Sequence, residues 1–430
     1  MQVSDVSCGT QLIPHAFPAL RSLTLTRTQL GDGSLFNVLA ADSKPTLTSL
    51  HLARCSMDST AVPQAAVALA QLPGLQALHL EGPDSLVPVA LHLTGLTSLT
   101  IETERAARDE LPIAVVTQNQ GLRSLNLVYG SVTGQLLQPD LLQEVLTSCI
   151  SLTQLALHNL IVYDQGMSVL LTHGTSITDL TLGRTSLTTS KAHWACCWRK
   201  LVLHQRTLPE FAYLPLKSVQ HLQVGYDKQA SWVQLDLPSD IPPAQLPDLV
   251  QKATTNLASC PAWAKAPPTQ LLLSGHPQDL TTAQQVQLLK ALAPAAGRHV
   301  SKLFLDVEMQ LGQAEVDTLA NLLSGSLTSL HLDSATLHDS FWRPLAQHFP
   351  NMQELCLNSG IKAAAVDVEM YLASFTSSTP RRLDIHIEAY VFDEQGCLRL
   401  KACVDAQGLD SIRLTIQPPE YYEADEFWGP

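Results

Sequence analysis

The chain has 430 residues, of which 45% are hydrophobic, 5% aromatic and 15% charged, with a formal net charge of −13. Bulk disorder is excluded by this balance, and collagen-like and disulfide-scaffold classes are excluded by 21 glycines without period and 9 cysteines over this length. The acidity is uneven: residues 1–215 carry 12 basic and 15 acidic residues, and residues 216–430 carry 14 and 24. An acidic chain repels phosphate backbones and anionic lipid, so nucleic acid and membrane surfaces are disfavoured and basic or neutral protein surfaces are the expected partners.

Leucine dominates the composition, with 75 residues, about one in six. The excess is periodic. In chain order, the pattern L-x-x-L-x-L occurs as Leu20-Leu23-Leu25, Leu47-Leu50-Leu52, Leu75-Leu78-Leu80, Leu96-Leu99-Ile101, Leu122-Leu125-Leu127, Leu152-Leu155-Leu157 and Ile177-Leu180-Leu182. It resumes as Val219-Leu222-Val224, Leu271-Leu273, Val300-Leu303-Leu305, Leu327-Leu330-Leu332, Met352-Leu355-Leu357, Leu383-Ile385 and Leu409-Ile412-Leu414. Each unit alternates inward and outward residues as a strand does, and the following stretch changes to helical spacing. Helices are expected over 134–149, 164–174, 281–293, 313–325 and 393–407.

Fourteen units at this spacing resemble the leucine-rich repeat superfamily, and the 27–28-residue units are most similar to its ribonuclease-inhibitor-like class. The resemblance covers about residues 12–417, less the middle. It implies an α/β solenoid: a curved arc with a parallel sheet on the concave side and helices and loops on the convex side. The family often places Asn three residues after the last Leu. This chain has Thr28, Cys55 and Thr185 there, but also Glu104, Gly130, Leu160, Ala335 and Gly360, so an irregular arc is expected.

Four segments follow: repeats over 1–187, an interrupted middle over 188–267, repeats over 268–417, and an acidic-aromatic tail over 418–430. The middle holds Trp194, Trp198, Trp232 and Trp263 and the prolines Pro238, Pro242, Pro243, Pro247 and Pro261. It reads either as degenerate repeats with long loops or as a projecting insertion. Its densest cluster, His193 to Lys200, contains Cys196 and Cys197, whose vicinal spacing does not suit zinc; a packed loop with cationic edges is expected. The tail carries four acids and four aromatics and suits a cap on the last repeat.

The scattered cysteines, the absence of an N-x-S/T sequon, and the absence of a leader-like or membrane-spanning apolar run favour a cytoplasmic protein. The superfamily resemblance extends this to a cytoskeleton-associated setting.

Nucleotide-loop, zincin and paired C-x-x-C signatures are missing, so neither catalysis nor a cofactor or metal is expected. Outward residues of the strands supply the candidate protein-binding residues: His51, His79, Glu81 and Tyr129 in the N-terminal half, and Phe304, Asp306, His331, Asp333, Glu354, Asp384 and Arg413 in the C-terminal half. His51 and His79 share a register in adjacent repeats, and with Glu81 they could form a metal or pH-sensitive site, though solvated histidines on a polar face suffice. Asp306, His331, Asp333 and Glu354 form an expected acidic patch for a basic partner. The expected function is a non-enzymatic scaffold that binds a protein on the concave face. The alternatives are a GTPase-activating or other regulatory protein acting through Arg27, Arg54 or Arg184, or a ubiquitin-ligase substrate-recognition subunit.

Overall fold

The computed structural model describes residues 2–4, 19–42, 46–82, 84–103, 113–130, 135–187, 197–203, 208–224, 232–277, 280–296, 299–358, 361–362, 365–373, 383–388, 394–406 and 412–417. The chain divides into two compact units. One comprises Met1–Gln205 with Ser218–Tyr226, and the other Arg206–Lys217 with Asp227–Pro430.

Each unit is built on one parallel sheet. In the first, strands follow one another in chain order from Gln2–Ser4 through Ser22–Thr26, Ser49–Ala53, Ala77–Gly82, Ser98–Thr103, Ser124–Tyr129, Gln154–Tyr163, Asp179–Ser186 and Lys200–Leu203 to His221–Val224. In the second, the order is Trp232–Asp236, Gln270–Gly275, Lys302–Val307, Ser329–Asp333, Glu354–Leu357, Leu383–Glu388 and Ile412–Gln417. Chain-order adjacency of parallel strands requires a return crossover in every repeat, and most of the connections carry a helix on the far side of the sheet. This is a leucine-rich-repeat α/β fold, and among the described residues the leucine units coincide with strands or their immediate approach; Leu409 lies outside the described residues.

The repeat leucines stack into rows. Leu23, Leu50, Leu78, Leu99, Leu125, Leu155, Leu180 and Leu201 are register partners across the first sheet. Each is 2% exposed or less. Leu271, Leu303, Leu330, Leu355 and Ile385 do the same in the second and are fully buried. At about 1.5–3 kcal/mol for each fully buried side chain, such a row is the main cohesive element between repeats. No single repeat could bury its leucines alone.

Buried polar groups close the turns between repeats. Asn119 is fully buried; its amide donates to the Leu93 and Val115 carbonyls at 2.8 and 2.7 Å and its Oδ1 accepts the Leu96 N–H at 2.9 Å. One repeat later the Cys149 thiol reaches the Val116 and Asn119 carbonyls. After the strands, Thr28 and Cys55 take the family's Asn place and bond the Thr26 and Leu25 carbonyls respectively.

Helices form where capping and apolar spacing agree. Thr281 and Gln284 make a reciprocal capping box at the start of Thr282–Lys290. The Glu315 carboxylate accepts the Gly312 N–H at 3.0 Å and opens Gln313–Leu323. The helix expected from 134 begins instead at Pro139, whose missing N–H and set φ fit the first helical position. The others run Asp164–His173 and Glu394–Ala406. Among the described residues, no helix is long and apolar enough to cross a membrane.

Among the described residues, three strands on the main paths of the two large sheets escaped the leucine pattern. Gln2–Ser4 pairs with Ser22–Thr26 ahead of the first recognised repeat. Within the interrupted middle, Lys200–Leu203 pairs with both Asp179–Ser186 and His221–Val224, and Trp232–Asp236 pairs with Gln270–Gly275. Trp198, fully buried, stands where the first leucine of the pattern would be, three residues before Leu201. The residues His193, Trp194 and Cys196 and the tail 418–430 lie outside the described residues.

Candidate functional site

Side chains that alternate with the buried leucines emerge on the solvent side of each sheet, and strand pairing fixes which of them meet. In the first unit, His51 and His79 are register partners. Their rings stack with centroids 3.9 Å apart and planes 10° from parallel. Both Nε2 atoms are buried without a hydrogen-bond partner. Burial lowers the pKa of both, and for His79, where the His51 charge adds to the effect, it falls to about 4 despite the opposing Glu81 carboxylate.

His51, His79 and Glu81 bring ligand-type atoms within 4.8 Å of one another. Two features make this a poor chelate. Parallel rings direct their in-plane lone pairs side by side rather than toward one point, and the Glu81 carboxylate is engaged by the Arg54 guanidinium at 2.9 Å. Beside it Glu102 is raised above the usual carboxylate range by burial and by Glu81, with Arg54 opposing.

Tyr129 does not belong to this surface. It is 5% exposed, because Leu125, Leu127 and Tyr129 share one parity of the strand and the outward parity falls on Ser124, Asn126 and Val128. Of the candidate arginines, Arg27 and Arg54 are exposed and follow adjacent strands with left-handed φ values of 50° and 52°. Arg184 lies within Asp179–Ser186.

In the second unit three rows cross the sheet. The first runs Lys302, Ser329, Glu354, Asp384 and Arg413. Here Ser329 Oγ donates to Glu354 Oε2 at 2.7 Å, and Lys302 Nζ and His331 Nε2 lie 3.6 and 3.5 Å from the same oxygen. Burial works against the Glu354 carboxylate, but Ser329, His331 and Lys302 together hold its pKa below the ordinary value. Arg413 stands 3.9 Å from Asp384.

The second row runs Phe304, His331, Cys356 and His386. Phe304 stacks on His331 at 4.2 Å. Burial lowers the His331 pKa, with Glu354 opposing. Cys356 occupies the solvent-side parity yet is only 7% exposed, and burial pushes its thiol up to about 12. A cavity of about 190 Å³ is lined by His331, Glu354, Cys356, Asn358 and His386 together with Leu357 and Ile387. Nothing in the leucine pattern marked Cys356, since sequence reading weighted charged and aromatic outward residues.

The third row pairs Asp306 with Asp333. Ser334, at φ +55°, ties them: its N–H bonds Asp333 Oδ1 at 2.8 Å and its hydroxyl bonds Asp306 Oδ1 at 3.2 Å. Among the described residues neither aspartate forms an ion pair, whereas Glu354 is internally neutralised. Of the acids expected in the acidic patch, Asp306 and Asp333 are the two with no ion pair among the described residues.

No protein-family model matches the sequence, and no curated protein does. Solved structures to which the chain is similar include one from a crystal structure of the yeast Rad7 and Elc1 complex, at 17% identity over 85% of this chain and 81% of that one, with a TM-score of 0.33. Another comes from a TLR13–ssRNA13 complex, at 13% identity over 98% of this chain and 55% of that one, with a TM-score of 0.30. The present chain thus spans about half the length of the TLR13 chain.

Proposed function

We propose that the protein is a non-enzymatic interaction scaffold that binds another protein on the solvent side of its C-terminal sheet. The observation that carries this reading is the alignment of chemically distinct side chains into rows on a seven-stranded parallel sheet, the longest described row crossing five strands. Seven strands at about 4.8 Å spacing extend about 29 Å, a footprint suited to a protein rather than a small ligand. Phe304 on His331 supplies an aromatic anchor, and Asp306 with Asp333 supplies charge for a basic partner.

Affinity capture with the full chain, followed by mass spectrometry, tests the reading. A stoichiometric protein is expected, with recovery reduced at least tenfold by the double change Asp306→Lys and Asp333→Lys. Recovery of no partner by the folded wild-type chain sinks the scaffold reading, and equal recovery by both chains sinks the acidic patch.

We read residues 188–267 as degenerate repeats rather than an insertion, because strands from this stretch extend both sheets in register. The scattered spacing of the nine cysteines favours a reducing, cytoplasmic setting. A regulatory role through arginine has less support, since Arg54 is engaged by Glu81. A GTP-hydrolysis assay with Arg27→Ala and Arg54→Ala checks it. Nothing in the geometry singles out a ubiquitin-ligase receptor.

A further inference from the structure

Four side chains with metal-ligand chemistry converge on one small cavity of the C-terminal sheet. His331, Cys356 and His386 occupy one row on three consecutive strands, and Glu354 stands two residues before Cys356 on the same side. Ligand-type atoms of His331, Glu354 and Cys356 already lie within 4.8 Å of one another, and His386 lines the same cavity.

We propose that His331, Cys356, His386 and Glu354 form a binding site for a zinc-class divalent transition metal. One thiolate, two imidazoles and one carboxylate make the borderline donor set that selects such ions over magnesium or calcium, which take oxygen ligands. In a tetrahedral site with bonds of about 2.0–2.3 Å, donors stand roughly 3.3–3.6 Å apart. The three donors, within 4.8 Å of one another, would close by about 1 Å to reach that spacing.

The cavity has surroundings that such a site needs. Ser329 lies 2.8 Å from His331 Nε2 and donates its own proton to Glu354; in the tautomer whose Nε2 proton goes to Ser329, the lone pair of His331 is on Nδ1. A fixed imidazole tautomer held through its other nitrogen is the usual outer-shell support of a metal-bound histidine. Phe304 stacked on His331 restrains the same ring. Lys302, which lies 3.6 Å from Glu354 with 41% of its side chain exposed, balances the carboxylate and can swing to solvent when a cation arrives. The His51, His79 and Glu81 group differs in its stacked, parallel rings, which do not converge on one point.

Cobalt(II) titration of the reduced full chain is the test. The expected result is one equivalent bound, with a thiolate-to-cobalt charge-transfer band in the near ultraviolet and visible bands of tetrahedral intensity, both removed by added zinc. Cys356→Ser abolishes the charge-transfer band, and His386→Ala weakens binding by more than about tenfold. His79→Ala leaves both unchanged. A wild-type spectrum without charge transfer overturns the site, as does a band that survives Cys356→Ser. Should Cys356→Ser lose its circular dichroism, His386→Ala decides: its partly exposed side chain tolerates removal, and unchanged affinity there also overturns the proposal.

Discussion

The imidazole of His79 lies flat on that of His51, 3.9 Å away, because the two residues are register partners on neighbouring strands. Such a stack tolerates neutral rings better than two charged ones. Burial and, for His79, the His51 charge keep the pKa values low, to about 4 for His79, while Glu81 opposes and is itself held by Arg54 next to Glu102.

A lowered base pKa means that the unfolded chain binds more protons than the folded one between the two values. The stabilising contribution is therefore complete above about pH 6.5 and is lost as the pH falls toward 4. After allowance for partial exposure the loss is on the order of 1–2 kcal/mol. Thermal unfolding from pH 4 to 7.5 should show it, and His79→Phe, which keeps a ring in the stack, should remove this component. An unaltered pH profile in that variant would show that the histidine pair does not titrate as described.

Asn119 makes three hydrogen bonds with both partners buried, two of them to the preceding repeat. Its replacement by Ala should cost about 2–4 kcal/mol, since a buried N–H and two carbonyls lose their partner. The exposed Thr147 bonds only within its own helix, and Thr147→Ala should stay within about 0.5 kcal/mol. Urea unfolding of the two variants distinguishes them.

Trp342 is 1% exposed and meets Phe341 edge-on at 5.2 Å and Tyr371 at 5.6 Å. Truncation to Ala opens a cavity between the helices Asp339–His348 and Ala365–Ala373, with an expected loss of about 3–5 kcal/mol. A midpoint change below 1 kcal/mol would mean that this helix pair is not closely packed.

Arg27 is exposed and held at φ 50°, where a Cβ is unfavourable, while its N–H bonds the Ala53 carbonyl at 2.8 Å. Glycine keeps that bond and removes the steric cost, so Arg27→Gly should be neutral or stabilising by up to about 1 kcal/mol. Arg27→Val should destabilise by more than about 1 kcal/mol, because a β-branched side chain fits this region worst. Chemical unfolding of the pair reads the sign directly.

The repeat itself was legible because its signal is local. Leu50 and Leu52, or Leu330 and Leu332, need only strand alternation to face inward, and helical spacing marks the returning segment. The missed strands fail that local test for particular reasons. Trp198 replaces the first leucine before Lys200–Leu203, and Trp232–Asp236 offers only Val233 and Leu235. Parity could have placed Tyr129 inside, since it shares the phase of Leu125 and Leu127.

Local alternation by itself determined which side of a strand is buried, and the leucine row follows from that. Which outward residues meet was decided only by tertiary structure. Cys356 joins His331 and His386 because strands 25 and 30 residues apart pair in one register, set by how the intervening helices and loops pack. Ser334 bridges Asp306 and Asp333 for the same reason. The period fixes burial one strand at a time, whereas a site needs alignment between strands, and that depends on contacts no single repeat contains.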